Sequence, residues 1–390
     1  MAVAEQRLLK LLDQIAKEQK YNDYNVDVKP ISTGGANYTT ALFTVTITEP
    51  DKEDLHLFAK VAILSEGMRK EMPFDLYEVE YFAYNKLEKI YNEMQDRYKI
   101  PANDRLVFAK YYGSNTNVTE ETIVLEDLTA KGYECHDRFK CFDWPYASKA
   151  VGMLAKFHGL SIAFGEENPT EFQGWLNKYQ FKLNESDSHG MFFKKIATLA
   201  LKVVKEENKG RLAKFLELLS VGKMVEFNAP IRRPMLVHGD YRPSNLMHRE
   251  NKDGSVDVIP VDLQTLRAGC GVSDLMYFIF SGSDAAFRAK YYRKLIDHYY
   301  ENICETLKYA GLSPDDVYSR EDFDYEVEKL QPSGIFMAVF ILPMITVSSE
   351  NAPSMAEGDD ISSLAVEHTN DLYAERLNGV IDDAVRWEII

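Results

Sequence analysis

The stretch that decides the fold is His238-Gly239-Asp240-Tyr241-Arg242-Pro243-Ser244-Asn245, followed by Val261-Asp262-Leu263-Gln264. The first has the form H-x-D-x-x-x-x-N. The second is a carboxylate at the end of a hydrophobic strand. Phosphoryl transfer asks for one carboxylate beside the attacking hydroxyl. It also asks for an amide oxygen and a second carboxylate to hold Mg²⁺ on nucleotide phosphates. Asp240 and Asn245 lie on one tight loop and can face one cleft, and Asp262 arrives from the next hairpin to complete a metal site. Alone, His-Gly-Asp is compatible with a plain turn. The segments that precede it give it weight.

Working back toward the N-terminus, residues 4–20 place Leu8, Leu11, Leu12 and Ile15 near one helical face. The period then changes. A strand ends at Ile31, the turn Ser32-Thr33-Gly34-Gly35 follows, and Leu42–Thr48 and Leu55–Leu64 read as two more strands of an antiparallel meander. Residues 73–98 return to helical spacing, with Leu76, Val79, Phe82, Ala83, Leu87, Ile90 and Met94. Leu106–Tyr112 and Glu121–Leu128 are further strand candidates. Lys60 sits inside the apolar strand Phe58-Ala59-Lys60-Val61-Ala62, where a lysine must point to solvent or meet an anion. A phosphate-binding lysine would pair with a glutamate on the next helix. Glu78 and Glu80 lie two residues apart and face different sides of that helix, so only one can serve, and Glu80 is preferred. Two adjacent glycines at 34 and 35 let the backbone approach an anion. No GxxxxGK[ST] loop occurs.

From about residue 143 helices dominate, with Asp143 as a cap for 144–160 and further helices over 191–221 and 284–311. One β island interrupts them, at Met235–His238, Leu246–His248 and Val256–Val261. The composition shifts near 126–135, which divides the chain into 1–125 and 126–390. The expected class is α+β and two-lobed: a small antiparallel-sheet lobe with one long helix, then a larger, mainly helical lobe.

The 390 residues carry 45 Lys plus Arg against 61 Asp plus Glu, a net charge of −16. Nucleic-acid binding needs a dense basic surface, and an anionic membrane repels such a chain, so neither partner is expected. Four cysteines without a CxxC pair exclude a disulfide scaffold and argue against a structural zinc site. Residues 1–20 are charged throughout and lack the apolar core of a signal peptide. The longest apolar run, Gly334–Val347, is short for a membrane span and contains Pro343, so it reads as a buried helix. A reduced, cytoplasmic, monomeric protein is the expectation.

Taken in order, these segments resemble the ecdysteroid kinase-like family, also called CHK kinase-like, within the choline kinase and aminoglycoside phosphotransferase branch of the protein-kinase-like fold. The matching segments are GGANYTTALFTVTI (34–47), FAKVAI (58–63), VLEDL (124–128), MLAKFHGLS (153–161), LVHGDYRPSNLMH (236–248), VIPVDLQ (258–264) and SDLMYFIF (273–280). The resemblance implies roles at matched positions. Asp240 is the catalytic base, and Asn245 and Asp262 are the Mg²⁺ ligands. Lys60 grips the phosphates with Glu80 as partner. Glu126 and Leu128 meet the adenine through their backbone, and Gly34, Gly35, Asn37 and Tyr38 cover the phosphates. Asp274 holds the catalytic loop. His158 falls at a family-typical position, where a satisfied core histidine is the better reading than a chemical role. Many members have tryptophan two residues after the catalytic aspartate. Arg242 stands there in this chain, either to contact the transferring phosphoryl group or to pair with a neighbouring acid.

The resemblance implies an ATP- and Mg²⁺-dependent kinase acting on a hydroxyl of an ecdysteroid-like or other small hydroxylated metabolite. Tyr 23 and Phe 21 suit an apolar pocket with hydroxyl donors. Two alternatives stand beside it. One is a choline or amino-alcohol kinase, with Glu357-Gly358-Asp359-Asp360 as its candidate acidic cluster. The other is an inactive kinase fold that only binds a ligand, which the filled catalytic positions disfavour.

Overall fold

Alternation along Thr40–Thr48 sets the first layer: Ala41, Phe43, Val45 and Ile47 are buried while Leu42, Thr44 and Thr46 are half-buried. In the computed structural model, which describes residues 2–32, 39–218, 220–353 and 360–390, the buried face packs on the N-terminal helix Ala2–Glu18. Leu8, Leu11, Leu12 and Ile15 of that helix join Phe43, Val45, Ile47, Leu57, Ala59, Val61 and Val124 in one core. Each Leu, Ile, Val or Phe among them contributes about 1.5–3 kcal/mol on burial. The sheet is antiparallel, in the order β1 (Asn25–Ile31), β2 (Thr40–Thr48), β3 (Leu55–Ala62), β5 (Thr122–Glu126), β4 (Tyr111–Asn115). Lys60 pairs with Leu42 on one side and Ile123 on the other, so these three side chains share the face turned away from the N-terminal helix.

The helix expected over 73–98 begins at Leu76, capped by Asp75, which accepts from the N–H groups of Tyr77 and Glu78. It runs as Leu76–Phe82, widens through a π-helical turn at Ala83–Leu87, and continues as Glu88–Arg97. A short helix, Glu66–Glu71, precedes it. There Arg69 forks onto both oxygens of Glu121, at 2.8 and 2.9 Å. The strand expected at 106–112 is displaced to Tyr111–Asn115. Leu106 is buried, but its N–H donates to Gln95 Oε1 at 2.7 Å and its carbonyl accepts from Gln95 Nε2 at 3.1 Å. A side chain satisfies that backbone, so it needs no strand partner.

Beyond the sheet, the buried Trp144–Glu167 helix, capped by Asp143 as expected, packs along Ala285–Tyr309. The helix expected over 191–221 is three: Asp187–Val203, Glu206–Leu216 and Val221–Asn228. Asn378, from the distant C-terminal helix Asp371–Arg386, holds the first break open. It donates to the Val203 carbonyl at 2.9 Å and accepts from the Lys205 N–H at 2.8 Å. Of the β island, β7 (Met235–Val237) pairs with β10 (Arg267–Gly269), while β8 (Leu246–Glu250) lies between β6 (Glu134–Cys135) and β9 (Val256–Pro260).

The apolar run at 334–347 is the end of a longer helix, Arg320–Thr346. By length and composition it could cross a membrane, and 67% of its apolar window is buried inside the protein. It packs on Gly271–Gly282, where a Cβ at Gly334 would meet the Phe280 ring at 2.4 Å.

Candidate active site

The loop from His238 to Asn245 leaves β7 through Gly239, whose φ of +86° is left-handed. A Cβ there would lie 1.8 Å from Arg267 Nη1 and 2.3 Å from the Thr265 carbonyl, so both space and backbone require glycine. Asp274, near the start of the Gly271–Gly282 helix, accepts from the N–H groups of His238 and Gly239 at 2.7 and 2.9 Å. His158 Nε2 lies 3.2 Å from the same carboxylate, and its Nδ1 lies 2.6 Å from the Tyr299 hydroxyl. His158 is fully buried, a satisfied core histidine that backs Asp274. Burial pushes the Asp274 carboxyl up, but His158, His238 and Arg267 more than offset it and hold the group below the usual range. Tyr241 anchors the far side of the loop by donating to the Ala150 carbonyl at 2.7 Å.

On this loop Asp240 is held by side chains. Asn245 Nδ2 donates to its Oδ2 at 2.8 Å and to its carbonyl at 3.0 Å. Arg242 Nε reaches both carboxylate oxygens, at 3.1 and 3.3 Å, while its Nη1 donates to Ser244 Oγ at 2.8 Å. Of the two readings of Arg242, pairing with a neighbouring acid is the one this geometry displays. With the Asn245 nitrogen engaged on Asp240, its amide oxygen is the atom left for a cation.

Lys60, Glu80 and Asp262 meet across three elements. Lys60 Nζ lies 2.6 Å from Glu80 Oε1 and 2.5 Å from Asp262 Oδ1. Glu78 faces outward, to Lys178 at 2.6 Å and the Tyr179 hydroxyl at 3.1 Å, so Glu80 is the partner. Burial alone would lower the Lys60 pKa, but the two carboxylates raise it above the ordinary value and the ammonium stays charged. The carboxylates diverge. Burial and the nearby Asp262 charge push Glu80 up despite Lys60. Burial would push Asp262 up as well, but Lys60, Arg242 and His238 hold it below the usual range. The segment that carries Asp262 lies against the loop that carries Asp240: the Val261 N–H donates to the Asn245 carbonyl at 3.0 Å, and the Val261 carbonyl lies 3.0 Å from His238 Nε2. Asp262 has φ of +64°, unusual for a residue with a side chain. Gln264 Nε2 supports its other oxygen at 3.2 Å and accepts at Oε1 from Thr39 at 3.1 Å.

Glu126 ends β5. Its N–H donates to the Lys110 carbonyl at 2.8 Å, and the Leu128 carbonyl accepts from the Tyr133 N–H at 3.1 Å. Gly34, Gly35, Asn37 and Tyr38 lie outside the described residues, as does 357–359 of the acidic cluster. Among the described residues no group of three or more His, Cys, Asp or Glu is arranged to hold a metal. The donors Asn245 and Asp262 are hard oxygen ligands, the set Mg²⁺ takes when phosphate oxygens and water supply the rest. One residue at the site escaped the sequence reading: Tyr277, whose hydroxyl donates to Asp240 Oδ1 at 2.6 Å. Its segment was legible, but a helix buried on every side offers no periodicity to single it out.

The model of the ecdysteroid kinase-like family matches residues 34–312, well over half of the chain. No curated protein matches in sequence. Among solved structures, a point mutant of an aminoglycoside 2'-phosphotransferase, type IIIa, in its GDP complex is 10% identical with a TM-score of 0.45, covering 96% of this chain and 97% of that one. A GDP and kanamycin complex of a 2"-aminoglycoside phosphotransferase is 10% identical at 0.40, covering 85% and 90%. A glucosamine kinase is 12% identical at 0.39, covering 96% and 84%.

Proposed function

The chain belongs to the ecdysteroid kinase-like family, with the two-lobed α+β architecture of protein-kinase-like folds, and on that premise we propose that it is an ATP-dependent, Mg²⁺-requiring kinase of a small hydroxylated metabolite. The lobes divide near residue 126. The observation that carries the reading is the meeting of Lys60 and Glu80 with Asp262, on a segment whose neighbour Val261 is bonded to both His238 and Asn245 of the Asp240 loop.

Asp240 accepts the hydroxyl proton of the acceptor, and Lys60, fixed by Glu80, binds the nucleotide phosphates. The backbone of Glu126 and Leu128 meets the adenine edge. Asn245 and Asp262 hold the metal, which supplies neutralisation of phosphate charge when bound. Because this chemistry is mostly positioning, the rigid loop is itself the catalytic asset. The acceptor class is an ecdysteroid-like or other neutral alcohol: Arg242 pairs with Asp240 and Arg267 lies against the adjacent Gly239, cations that disfavour an amino alcohol at that point. All four cysteines are free, which supports a reducing, cytoplasmic setting.

The test is transfer of labelled γ-phosphate from MgATP into a panel of ecdysteroids and a crude metabolite extract, with wild type beside Asp240→Asn. Label in a steroid, lost in the variant, supports the full reading. Label in another metabolite keeps the kinase and discards the steroid. No label, with nucleotide still bound, sinks the kinase in favour of a binding protein. Affinity that weakens markedly with added salt would point to a cationic acceptor instead.

A further inference from the structure

A carboxylate offers about four acceptor positions, and at Asp240 they are crowded. Oδ1 accepts from the Tyr277 hydroxyl at 2.6 Å and from Arg242 Nε at 3.1 Å. Oδ2 accepts from Asn245 Nδ2 at 2.8 Å and from Arg242 Nε at 3.3 Å. A hydroxyl that gives its proton to this carboxylate must displace one of the three donors. The Arg242 bonds are the longest and straddle two oxygens, and a guanidinium has a second natural partner in a phosphate. Asn245 is fixed by its further bond to the Asp240 carbonyl. Tyr277 is 4% exposed on the Gly271–Gly282 helix.

Asp274 and Tyr277 lie three residues apart and so on one face of that helix. Asp274 grips the loop backbone at His238 and Gly239, and Tyr277 grips the functional side chain. Burial, then the Asp240 charge beside it, keeps the phenol protonated well above the usual range. It therefore acts as a standing donor and not as a proton relay.

We propose that Tyr277 is a positioning residue that fixes the Asp240 carboxylate for the acceptor hydroxyl once Arg242 yields its place. This rests on the kinase reading above. The phenol and the Asn245 amide hold one oxygen each, so the carboxylate keeps its plane when the guanidinium moves. Without the phenol, Oδ1 is held by nothing that stays, and the group can turn about its own axis.

Tyr277→Phe removes one oxygen and keeps the ring. Initial rates of label transfer from MgATP into the metabolite extract, taken at varied extract dilution, read the maximal rate and the half-saturating dilution separately. The expected result is a maximal rate lower by about 10²-fold, as misplacement of a reacting group produces. The half-saturating dilution, the MgATP dependence and the unfolding midpoint should stay near wild type. Added to Asp240→Asn, the substitution should cost nothing further. A wild-type rate in Tyr277→Phe, an equal loss in both backgrounds, or a loss that follows unfolding would overturn the proposal. Absence of label with wild type would overturn the kinase reading and this proposal with it, whereas wild-type label with an unaffected Tyr277→Phe would overturn this proposal alone.

Discussion

Asp240 and Asp262 are two carboxylates at one cleft, held in opposite ways. Asp240 is gripped by donors from its own loop and from the adjoining helix, on a backbone pinned by Asp274. Asp262 leans on Lys60, an ammonium it shares with Glu80 from a third element. The first arrangement is local, and its Asn245 and Tyr277 bonds remain when Arg242 yields. The second is an ion pair across elements that an incoming phosphate can exchange. The proposed kinase function has use for both, because a base would have to stay in place while a phosphate grip would have to open and close.

The sharpest way to break the comparison is Asp240→Asn. It should cost roughly 10²–10⁴-fold in label transfer and leave the unfolding midpoint near wild type, since Asn245 and Arg242 keep their other bonds and the new amide oxygen can still accept from Tyr277. A large fall in stability would show that Asp240 is structural. Next, Asp274→Ala should cost about 3–5 kcal/mol in denaturant unfolding, because it strands the buried His238 N–H, the half-buried Gly239 N–H and the buried His158. Lys60→Met should act in the other region, raising KM for MgATP by about tenfold as one charge-assisted contact is lost, with the fold intact by circular dichroism. Should Lys60→Met instead unfold the protein, the exchangeable pair would be a structural one.

The smallest effect is one of pH. His238 accepts from the Asp240 N–H at Nδ1 and lies 3.0 Å from the Val261 carbonyl at Nε2, which fits a neutral ring donating from Nε2. Burial lowers its pKa from the ordinary 6.5, while Asp274, Asp240 and Asp262 pull it back up only in part. The folded state thus favours the neutral form. Stability is full above 6.5 and declines as pH falls through 6.5 toward the folded value. Urea unfolding at pH 7.5 and 5.5 should show this loss, and His238→Gln should reduce it. Asp262 and Glu80 act lower on the scale and in opposite directions. Asp262, depressed, contributes stability above its ordinary 3.8 that is lost in acid. Glu80, raised, loses stability as pH climbs past its ordinary 4.5.

How much was legible follows from how local each feature is. The loop from His238 to Asn245 could be read because its spacing is the geometry, and Lys60 because a lysine in an apolar strand demands a partner. The choice of Glu80 over Glu78 was also available. Glu80 stands four residues after Leu76 and three before Ala83, both buried, while Glu78 falls on the opposite side. What stayed hidden depended on distant chain. Gln95 consumes the backbone of Leu106, and Asn378 breaks the helix at Val203. The strands Glu134–Cys135 and Arg267–Gly269 are too short to show a period. Arg242 was read with both of its options open, and only its contacts distinguish them.

The π-helical turn at Ala83–Leu87 is in effect one residue added to a helix. Each residue turns an α-helix by about 100°, so this turn sets the phase between the segment that carries Glu80 and the Glu88–Arg97 segment. Deleting a single residue there, such as Asn85, would restore regular winding and rotate everything before it by about 100°. Glu80 would swing away from Lys60 although no residue of the cleft had changed. The ion pair at the centre of the site is therefore a matter of register, written in the number of residues in one turn of helix as well as in the residues that form it.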